Sequence, residues 1–335
     1  MIQALALRNF KAFRRCELPL APLTLLTGVN AAGKSSILQA LALLRQSHDA
    51  GTLGDGGLLL DGDLVELGVG QDVLHEDFET DDADNPLITL ALTAQGQAST
   101  WRVEYVRDRD REAELLPLLP PVPDASSLNL FAPGFQYLGI DRIVPSPHQR
   151  AVSASLLDQA EAWLRDICPG VNVQAEEVPG TDLVRLSYGF FGRAGIRSSN
   201  FRYRPTNVGF GLTYALPVVV ACVAAQPGTL LLLENPEAHL HPRGQSMLAR
   251  LACLAVSTGV QVVIESHSDH VLNGIRLAVK EGLLDSGQAT VHYFSRDDEG
   301  RIAISTPTIG QDGMLSEWPA GFFDEWDRAL DRLLD

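Results

Sequence analysis

The sequence predicts an α/β fold, in which a mixed sheet is covered by helices and interrupted by an insertion of strands and helix. The first sign is an apolar run at residues 23–26, followed after a short loop by a helical pattern over residues 34–47. Within that helix Ile37 and Leu41 recur on one side, which is the spacing of a buried helical face. The second sign is the regular alternation of helical and strand patterns over residues 206–281, which is typical of a parallel, helix-covered sheet.

The remaining elements follow from shorter patterns. Residues 1–27 predict short strands, and the alternating runs at 88–94 and 100–106 predict an antiparallel pair. Further predicted elements are a strand at 135–140, a helix at 150–166, and strands at 171–177 and 183–188. Residues 107–134, charged and then proline-rich, predict an exposed connection. The chain is therefore divided into an N-terminal lobe at 1–75, an insertion at 76–205, a C-terminal lobe at 206–295 and a C-terminal extension at 296–335.

Composition narrows the class of protein. The 42 acidic residues outnumber the 26 basic ones, giving a net charge of −16, which on average disfavours unaided binding to nucleic acid. The longest apolar stretches, residues 216–225 and 230–233, are far shorter than the ~20 residues that span a bilayer. The four cysteines form no CxxC pair, so they indicate neither a zinc site nor a disulfide framework. We expect a cytoplasmic protein without a membrane partner.

One loop carries the chemistry of phosphate binding. Residues 28–35, GVNAAGKS, match G-x-x-x-x-G-K-[ST] at every required position, between an apolar strand and a helix. Backbone N–H groups of such a loop converge on phosphate oxygens, and the helix N-terminus adds partial positive charge. Lys34 would reach the β- and γ-phosphates, and the Ser35 hydroxyl would bind Mg²⁺. The loop predicts ATP and Mg²⁺ as ligands.

Two polar residues follow other buried strands. Glu234 ends the wholly apolar run at residues 230–233, where a parallel strand meets the ligand crevice, and would hold Mg²⁺ directly or through water. The alternative is that Glu234 only ends the strand in solvent. His267 comes just after the run at residues 260–264 and could donate to the γ-phosphate, although a lone histidine is often structural.

These residues resemble the OLD-like and RecF-like branch of the ABC-type ATPases, which are relatives of SMC heads. The resemblance is carried by RNFKAF (8–13) leading to GVNAAGKSSILQAL, NVGFGLTYALP (207–217), LLLLENPEAHLHP (230–242) and VVIESHSDHVLNGIRLAVKEG (262–282). The tail at 317–324 resembles an uncharacterised C-terminal extension of some bacterial members. The implied fold is an ABC-type P-loop NTPase head.

The resemblance implies a role for each matching position. The Walker A site would comprise Gly28, Asn30, Gly33, Lys34, Ser35 and Ser36. Glu234 sits at the Walker B acid and His267 at the switch histidine. Gln71 would be the Q-loop glutamine, contacting nucleotide and Mg²⁺, with Gln46 as the alternative.

The resemblance also implies a dimer. The loop with Gly209 and Gly211 lies where such proteins place a signature loop, which would bind the γ-phosphate of the opposite subunit. The loop at 239–241 lies where these proteins cross the dimer interface; its two histidines could be read as a metal pair, but no third ligand suggests itself. The signature-like loop at 208–211 does not have the sequence LSGGQ, which counts against a transporter subunit. We expect no Toprim nuclease segment after the ATPase pattern.

One residue departs from the family pattern and leaves two hypotheses open. Asn235 stands where most ABC ATPases have a catalytic glutamate, and an amide cannot accept a proton. Glu237 could supply the base, giving an ATP-driven switch read by an effector encoded nearby, in DNA repair or in defence against phages and plasmids. The alternative is a non-hydrolysing, ATP-sensing scaffold.

A cluster of arginines precedes the signature-like loop. Arg193, Arg197, Arg202 and Arg204 are interleaved with Phe201 and Tyr203. The cluster could form a positive patch that contacts DNA or an acidic partner, or a hairpin whose charges are only solvated.

Overall fold

The computed structural model describes residues 1–80, 85–139, 154–181, 184–190, 202–319 and 321–334. Within those ranges the strands are β1 (Ala4–Phe10), β2 (Phe13–Pro19), β3 (Leu23–Gly28), β4 (Gly57–Leu59), β5 (Leu87–Ala94), β6 (Gln97–Glu104), β7 (Leu115–Pro117), β8 (Gln136–Leu138), β9 (Val171–Glu177), β10 (Val184–Phe190), β11 (Leu230–Glu234), β12 (Gln261–Glu265), β13 (Ala289–Arg296) and β14 (Ile302–Ser305). The helices are α1 (Lys34–Asp49), α2 (Gly70–Val73), α3 (Arg107–Asp110), α4 (Ala154–Ile167), α5 (Phe210–Ala224), α6 (Pro242–Ser257), α7 (Asp269–Lys280) and α8 (Glu325–Leu334).

A six-stranded sheet forms the centre of the fold, in the order β14-β13-β3-β12-β11-β8. Only β14 runs antiparallel to its neighbour, and the other five strands are parallel. The predicted mixed sheet is confirmed. Because parallel strands end at the same edge, the loops after β3, β11 and β12 lie together there.

The alternation of side chains along the central strands separates two hydrophobic cores. In β11, Leu230 and Leu232 pack into the core that contains α1, whereas Leu231 and Leu233 pack into the core of α4 to α7. Successive residues of a strand point to opposite faces, so a run of four leucines fills both cores at once. The apolar run that predicted a buried strand is thus explained by helices on both sides of it.

The described part of the middle segment contributes to several sheets. β5 and β6 pair antiparallel as predicted, and β5 also pairs with β1 in a second sheet of order β2-β1-β5-β6. β8 pairs in parallel with β11 of the central sheet. The boundary placed at residue 76 stays a prediction, and strands beyond it hydrogen-bond with strands of both predicted lobes.

The prediction of an exposed connection over residues 107–134 was wrong in part. β7 pairs with β4, and Leu116, Leu130 and Phe131 are buried in the core that contains α1. The proline-rich composition of residues 107–134 predicted an exposed connection. The buried apolar residues of this segment lack the regular spacing of a strand or helix that would have indicated their burial. In the described residues, no helix is both long and apolar enough to cross a membrane.

Candidate functional site

The loop between β3 and α1 is held in place by the neighbouring strand β13. Gly28 has φ +134°, and a Cβ atom there would lie 2.0 Å from the Phe294 carbonyl oxygen. The same oxygen accepts a hydrogen bond from Val29 N at 3.0 Å. Arg296 Nη2 donates to the Ala31 carbonyl at 2.7 Å. Only glycine allows this close approach of two backbones, so the first glycine of the motif has a steric cause.

Lys34 lies inside the loop that precedes it. Its side chain is 3% exposed, and its Nζ donates to the carbonyls of Gly28 and Val29 at 3.1 and 2.7 Å. Burial lowers the pKa of Lys34, while the negative charge of Glu265 opposes that shift. The ammonium is therefore held at the loop by two backbone carbonyls, where it can donate to a bound anion.

Ser35, the first residue after the lysine, contacts a carboxylate that the motif alone did not reveal. Its Oγ donates to Glu265 Oε1 at 2.9 Å. Glu265 is 3% exposed, and its Oε2 is buried without a hydrogen-bond partner. Burial raises the pKa of Glu265 to about 7, and the charges of Glu234 and Glu237 add to this, against the bond from Ser35 and the charge of Lys34.

Glu234 lies one strand further from the loop than Glu265. The two glutamates are paired in register at the ends of β11 and β12, and Glu265 is itself paired with Leu26 of β3. Tyr137 OH, from β8 on the far side of β11, donates to Glu234 Oε2 at 2.8 Å. The predicted metal role of Glu234 stays a prediction, and its carboxylate has a tyrosine as a partner.

Glu237 joins the loops after β11 and β12. It is 6% exposed, and its Oε1 accepts hydrogen bonds from Ser266 Oγ at 2.6 Å and from His267 N at 3.2 Å. These bonds fix the backbone that presents His267. The predicted role of Glu237 as a base stays a prediction, and the structure gives this residue a positioning contact to the histidine loop.

His267 faces the phosphate loop. Partial desolvation and the positive charge of Lys34 lower its pKa, and a hydrogen bond to the Gly28 backbone acts in the opposite direction. The ring is therefore neutral near pH 7, and a neutral imidazole can donate one hydrogen bond and accept another.

Several of these side chains line one open cavity of about 280 Å³. Its lining combines the loop from Asn30 to Ser36 with Ala12, Glu265 and His267. Six predicted residues therefore come together: Asn30, Gly33, Lys34, Ser35, Ser36 and His267. The volume lies just below the roughly 300–1,000 Å³ that is typical of ligand sites.

The two candidate Q-loop glutamines lie elsewhere. Gln71 is exposed at the start of α2, where its Oε1 accepts from Arg111 Nε at 3.1 Å. Gln46 is buried and binds the backbone of the segment after α1, donating to the Leu59 carbonyl at 2.7 Å and accepting from Val65 N at 2.9 Å. Gln46 thus has a structural task, and the nucleotide contact of Gln71 stays a prediction.

The signature-like loop begins α5, and its two glycines differ. Gly209 is exposed, and a Cβ there would meet no atom within 4 Å. A Cβ at Gly211 would lie 2.4 Å from the carbonyl oxygen of His239, in the loop after β11. Neither glycine lines the cavity, so their predicted contact with nucleotide stays a prediction.

The arginine cluster is described only in part, since Arg193, Arg197 and Phe201 lie outside the described residues. Arg202 Nη1 donates to Asn172 Oδ1 of β9 at 2.5 Å, and Arg204 is exposed. Tyr203 is also exposed, with its ring centroid 6.2 Å from that of Phe190. One of the two described arginines is therefore tied to the fold rather than free for a partner.

Three families match parts of the chain. The AAA ATPase domain matches residues 1–106, and an AAA domain whose description also names the AbiEii toxin of a type IV TA system matches residues 181–273. A family described as a protein of unknown function, DUF3696, matches residues 284–333. The two ATPase matches contain the phosphate loop and the ends of β11 and β12.

Whole proteins give a consistent result. The chain is 23% identical over 369 residues to an OLD nuclease from Thermus scotoductus, covering 90% of this chain and 66% of that relative, which is less than two thirds of its length. The SMC head domain from Thermotoga maritima has a TM-score of 0.52 at 15% identity, with 91% of this chain and 98% of that chain covered. An Smc head with an extended coiled coil, bound to the C-terminal domain of ScpA and derived from Pyrococcus furiosus, has a TM-score of 0.57 at 11% identity, with 100% and 99% covered. Two AAA ATPase-domain matches, similarity in sequence to an OLD nuclease and the fold of SMC heads together support an ABC-type AAA ATPase domain in this chain.

Proposed function

We propose that this protein is an ATP-driven molecular switch, which binds ATP with Mg²⁺, forms a homodimer over the nucleotide and thereby regulates a partner effector. The observation that carries the proposal is the convergence of Lys34, Ser35, Glu265 and His267 on one cavity at the ends of two neighbouring parallel strands, β3 and β12. A cation, a hydroxyl, a carboxylate and a neutral imidazole around one loop suit a metal-bound triphosphate.

Dimerisation is supported by the position of the loop before α5. Gly209 is exposed, no side chain caps this end of α5, and neither glycine of the loop lines the cavity of its own chain. A helix N-terminus without a side-chain cap offers backbone N–H groups and partial positive charge to an anion. A second copy would bring a γ-phosphate to this helix.

We expect the protein to be a monomer, or a loose dimer, without nucleotide and a compact dimer with ATP and Mg²⁺. Light scattering of Glu234→Gln in saturating ATP, and of the wild type with a non-hydrolysable analogue, should show the mass rising from 36.3 kDa towards twice that value. The matched control is Lys34→Ala combined with Glu234→Gln, which should stay monomeric. A monomer that persists at saturating ATP in both samples would contradict the dimer.

A second candidate function is favoured by the residues after β11. Asn235 has φ +44°, a left-handed conformation that asparagine tolerates better than most residues. Glu237 uses Oε1 for Ser266 and His267. If neither residue takes a proton from water, the protein is an ATP-sensing scaffold that responds to binding alone.

Turnover of ATP separates the two candidates. General-base help is worth ~10²–10⁴ in rate, so we expect slow hydrolysis by the wild type. Asn235→Glu should speed hydrolysis by up to ~10²–10⁴. The variant should also lose about 1–2 kcal/mol in the free energy of unfolding, because glutamate tolerates the left-handed backbone less well than asparagine does. Glu237→Gln keeps a carbonyl acceptor for Ser266 and His267, so it should reduce phosphate release and spare ATP binding.

Steady-state phosphate release, with thermal melts of each variant, decides the matter. Residual wild-type turnover that Glu237→Gln silences supports the switch with Glu237 as base. Dimerisation with no turnover supports the scaffold. Rapid wild-type hydrolysis that ignores Glu237→Gln would show that the catalytic water lies elsewhere.

The biological setting is proposed from similarity. The setting that we propose is defence or DNA repair beside an effector encoded nearby. It is an analogy with a relative named OLD nuclease and with a family description that names the AbiEii toxin of a type IV TA system. DNA or an acidic partner at the arginine cluster stays part of the proposal. Exposed Arg204 is the described member best placed for it.

A further inference from the structure

Glu265 is a buried acid that lines the nucleotide cavity and has spare binding capacity. It is 3% exposed, one oxygen accepts from Ser35, and Oε2 has no hydrogen-bond partner. A carboxylate left partly unpaired away from water is costly, and such sites are retained when a cation or proton completes them. The neighbouring charge of Lys34 offsets part of that cost.

Strand order brings this acid to the phosphate loop. β12 is the strand next to β3, whereas β11 is separated from β3 by β12. Glu265 is paired with Leu26, two residues before the first glycine of the loop. Glu234, on β11, has Tyr137 as a partner and is absent from the lining of the cavity.

The donor set fits a hard divalent cation. Mg²⁺ prefers oxygen ligands, and at nucleotide sites it takes one or two protein ligands and completes its shell with phosphate oxygens and water. No cluster of three His, Cys, Asp or Glu side chains that could hold a metal occurs in the described ranges. Within those ranges, protein side chains of these types therefore do not supply a complete coordination shell. A hydroxyl and a carboxylate that already touch, beside a loop for phosphate, supply the right number and kind of oxygen.

We propose that Glu265, rather than Glu234, is the carboxylate that holds the Mg²⁺ of bound ATP, together with Ser35. This inference rests on the proposed function, since it concerns the same nucleotide site. It has a second consequence, because a carboxylate beside the triphosphate repels it when no metal is present. Glu265 thereby makes tight ATP binding depend on Mg²⁺.

The experiment compares nucleotide affinity with and without metal. A fluorescent ATP analogue is titrated into wild type, Glu265→Gln and Glu234→Gln, in EDTA and in saturating Mg²⁺. The affinity of the wild type for the ATP analogue should rise about tenfold or more with Mg²⁺. Removing a residue that supports a metal site typically changes metal affinity by a similar factor. Glu265→Gln should bind at least as well as wild type in EDTA and gain little from Mg²⁺, whereas Glu234→Gln should keep most of the gain.

A spectroscopic readout completes the test without relying on turnover. Mn²⁺ in place of Mg²⁺ should give an electron paramagnetic resonance signal of protein-bound ion with ATP in wild type and Glu234→Gln, but a much weaker one in Glu265→Gln. Full metal enhancement in Glu265→Gln, together with its loss in Glu234→Gln, would overturn the inference. Failure of wild type to bind the analogue under either condition would instead contradict the proposed function, and EDTA binding by Glu265→Gln shows that this variant is folded.

Discussion

Replacing Lys34 by alanine is expected to abolish ATP binding and leave the fold intact. The change removes a buried ammonium at the phosphate loop, and removing one partner of a desolvated charge pair costs 2–5 kcal/mol, or roughly 30-fold or more in affinity. It also removes two hydrogen bonds to the carbonyls of Gly28 and Val29, with a cost of about 1–2 kcal/mol in the free energy of unfolding. Calorimetric titration with ATP and a thermal melt measure the two effects.

The matched control is Lys280→Ala, which removes the same side chain from the exposed end of α7. That variant should bind ATP as the wild type does. If Lys34→Ala retained full ATP affinity while remaining folded, residues 28–35 would not be the nucleotide site.

Gly211→Ala is expected to be far more damaging than Gly209→Ala. The new Cβ would lie 2.4 Å from the backbone oxygen of His239, so α5 must move away from the loop after β11. Forcing an extra carbon into such a contact costs ~1–3 kcal/mol, whereas Gly209 has open space and φ −51°, so alanine there should cost at most ~1 kcal/mol as a weaker helix cap. Chemical denaturation of both variants without nucleotide gives the comparison.

ATP-dependent dimerisation of the same pair separates packing from contact with nucleotide. A shifted α5 should weaken the dimer in Gly211→Ala, while Gly209→Ala retains its backbone N–H and should dimerise. Equal stability of the two variants would contradict the close contact between Gly211 and His239.

The residues that the sequence located best are those whose spacing is fixed by local chemistry. The loop at 28–35 must wrap a phosphate within eight residues, so its pattern is complete in the sequence. Five predicted residues of the loop and the start of α1 lie around one cavity together with His267. The buried strands β11 and β12 were also predicted from local patterns. A run of apolar residues with a polar end states that a strand is buried and where it stops.

Glu265 was missed because its importance depends on the order of strands in the sheet. Glu234 and Glu265 both end buried strands, and no local pattern tells which strand adjoins β3. Only the pairing of Glu265 with Leu26 sets it beside the loop. The available signal was that Glu265 directly follows the apolar residues 262–264 of a buried strand and precedes Ser266 and His267, which placed an acid on the same edge as the lysine.

The two candidate glutamines show the opposite limit. Gln71 and Gln46 were alternative candidates for the Q-loop glutamine. A glutamine in this part of the sequence has no fixed spacing from the phosphate loop that would identify its role. In the structure Gln46 hydrogen-bonds with the backbone of Leu59 and Val65. Hydrophobic periodicity does not predict such hydrogen bonds between separate segments of the chain.

The position of β13 makes the phosphate loop dependent on the last part of the chain. β13 covers one side of β3 from Leu23 to Gly28, and it carries the Phe294 carbonyl and Arg296 that restrain the loop. A chain shortened before residue 284 would leave β3 as an edge strand with a row of unpaired N–H and C=O groups. Such an edge invites pairing between molecules, so loss of the segment that matches DUF3696 would cause aggregation as well as a misshapen loop.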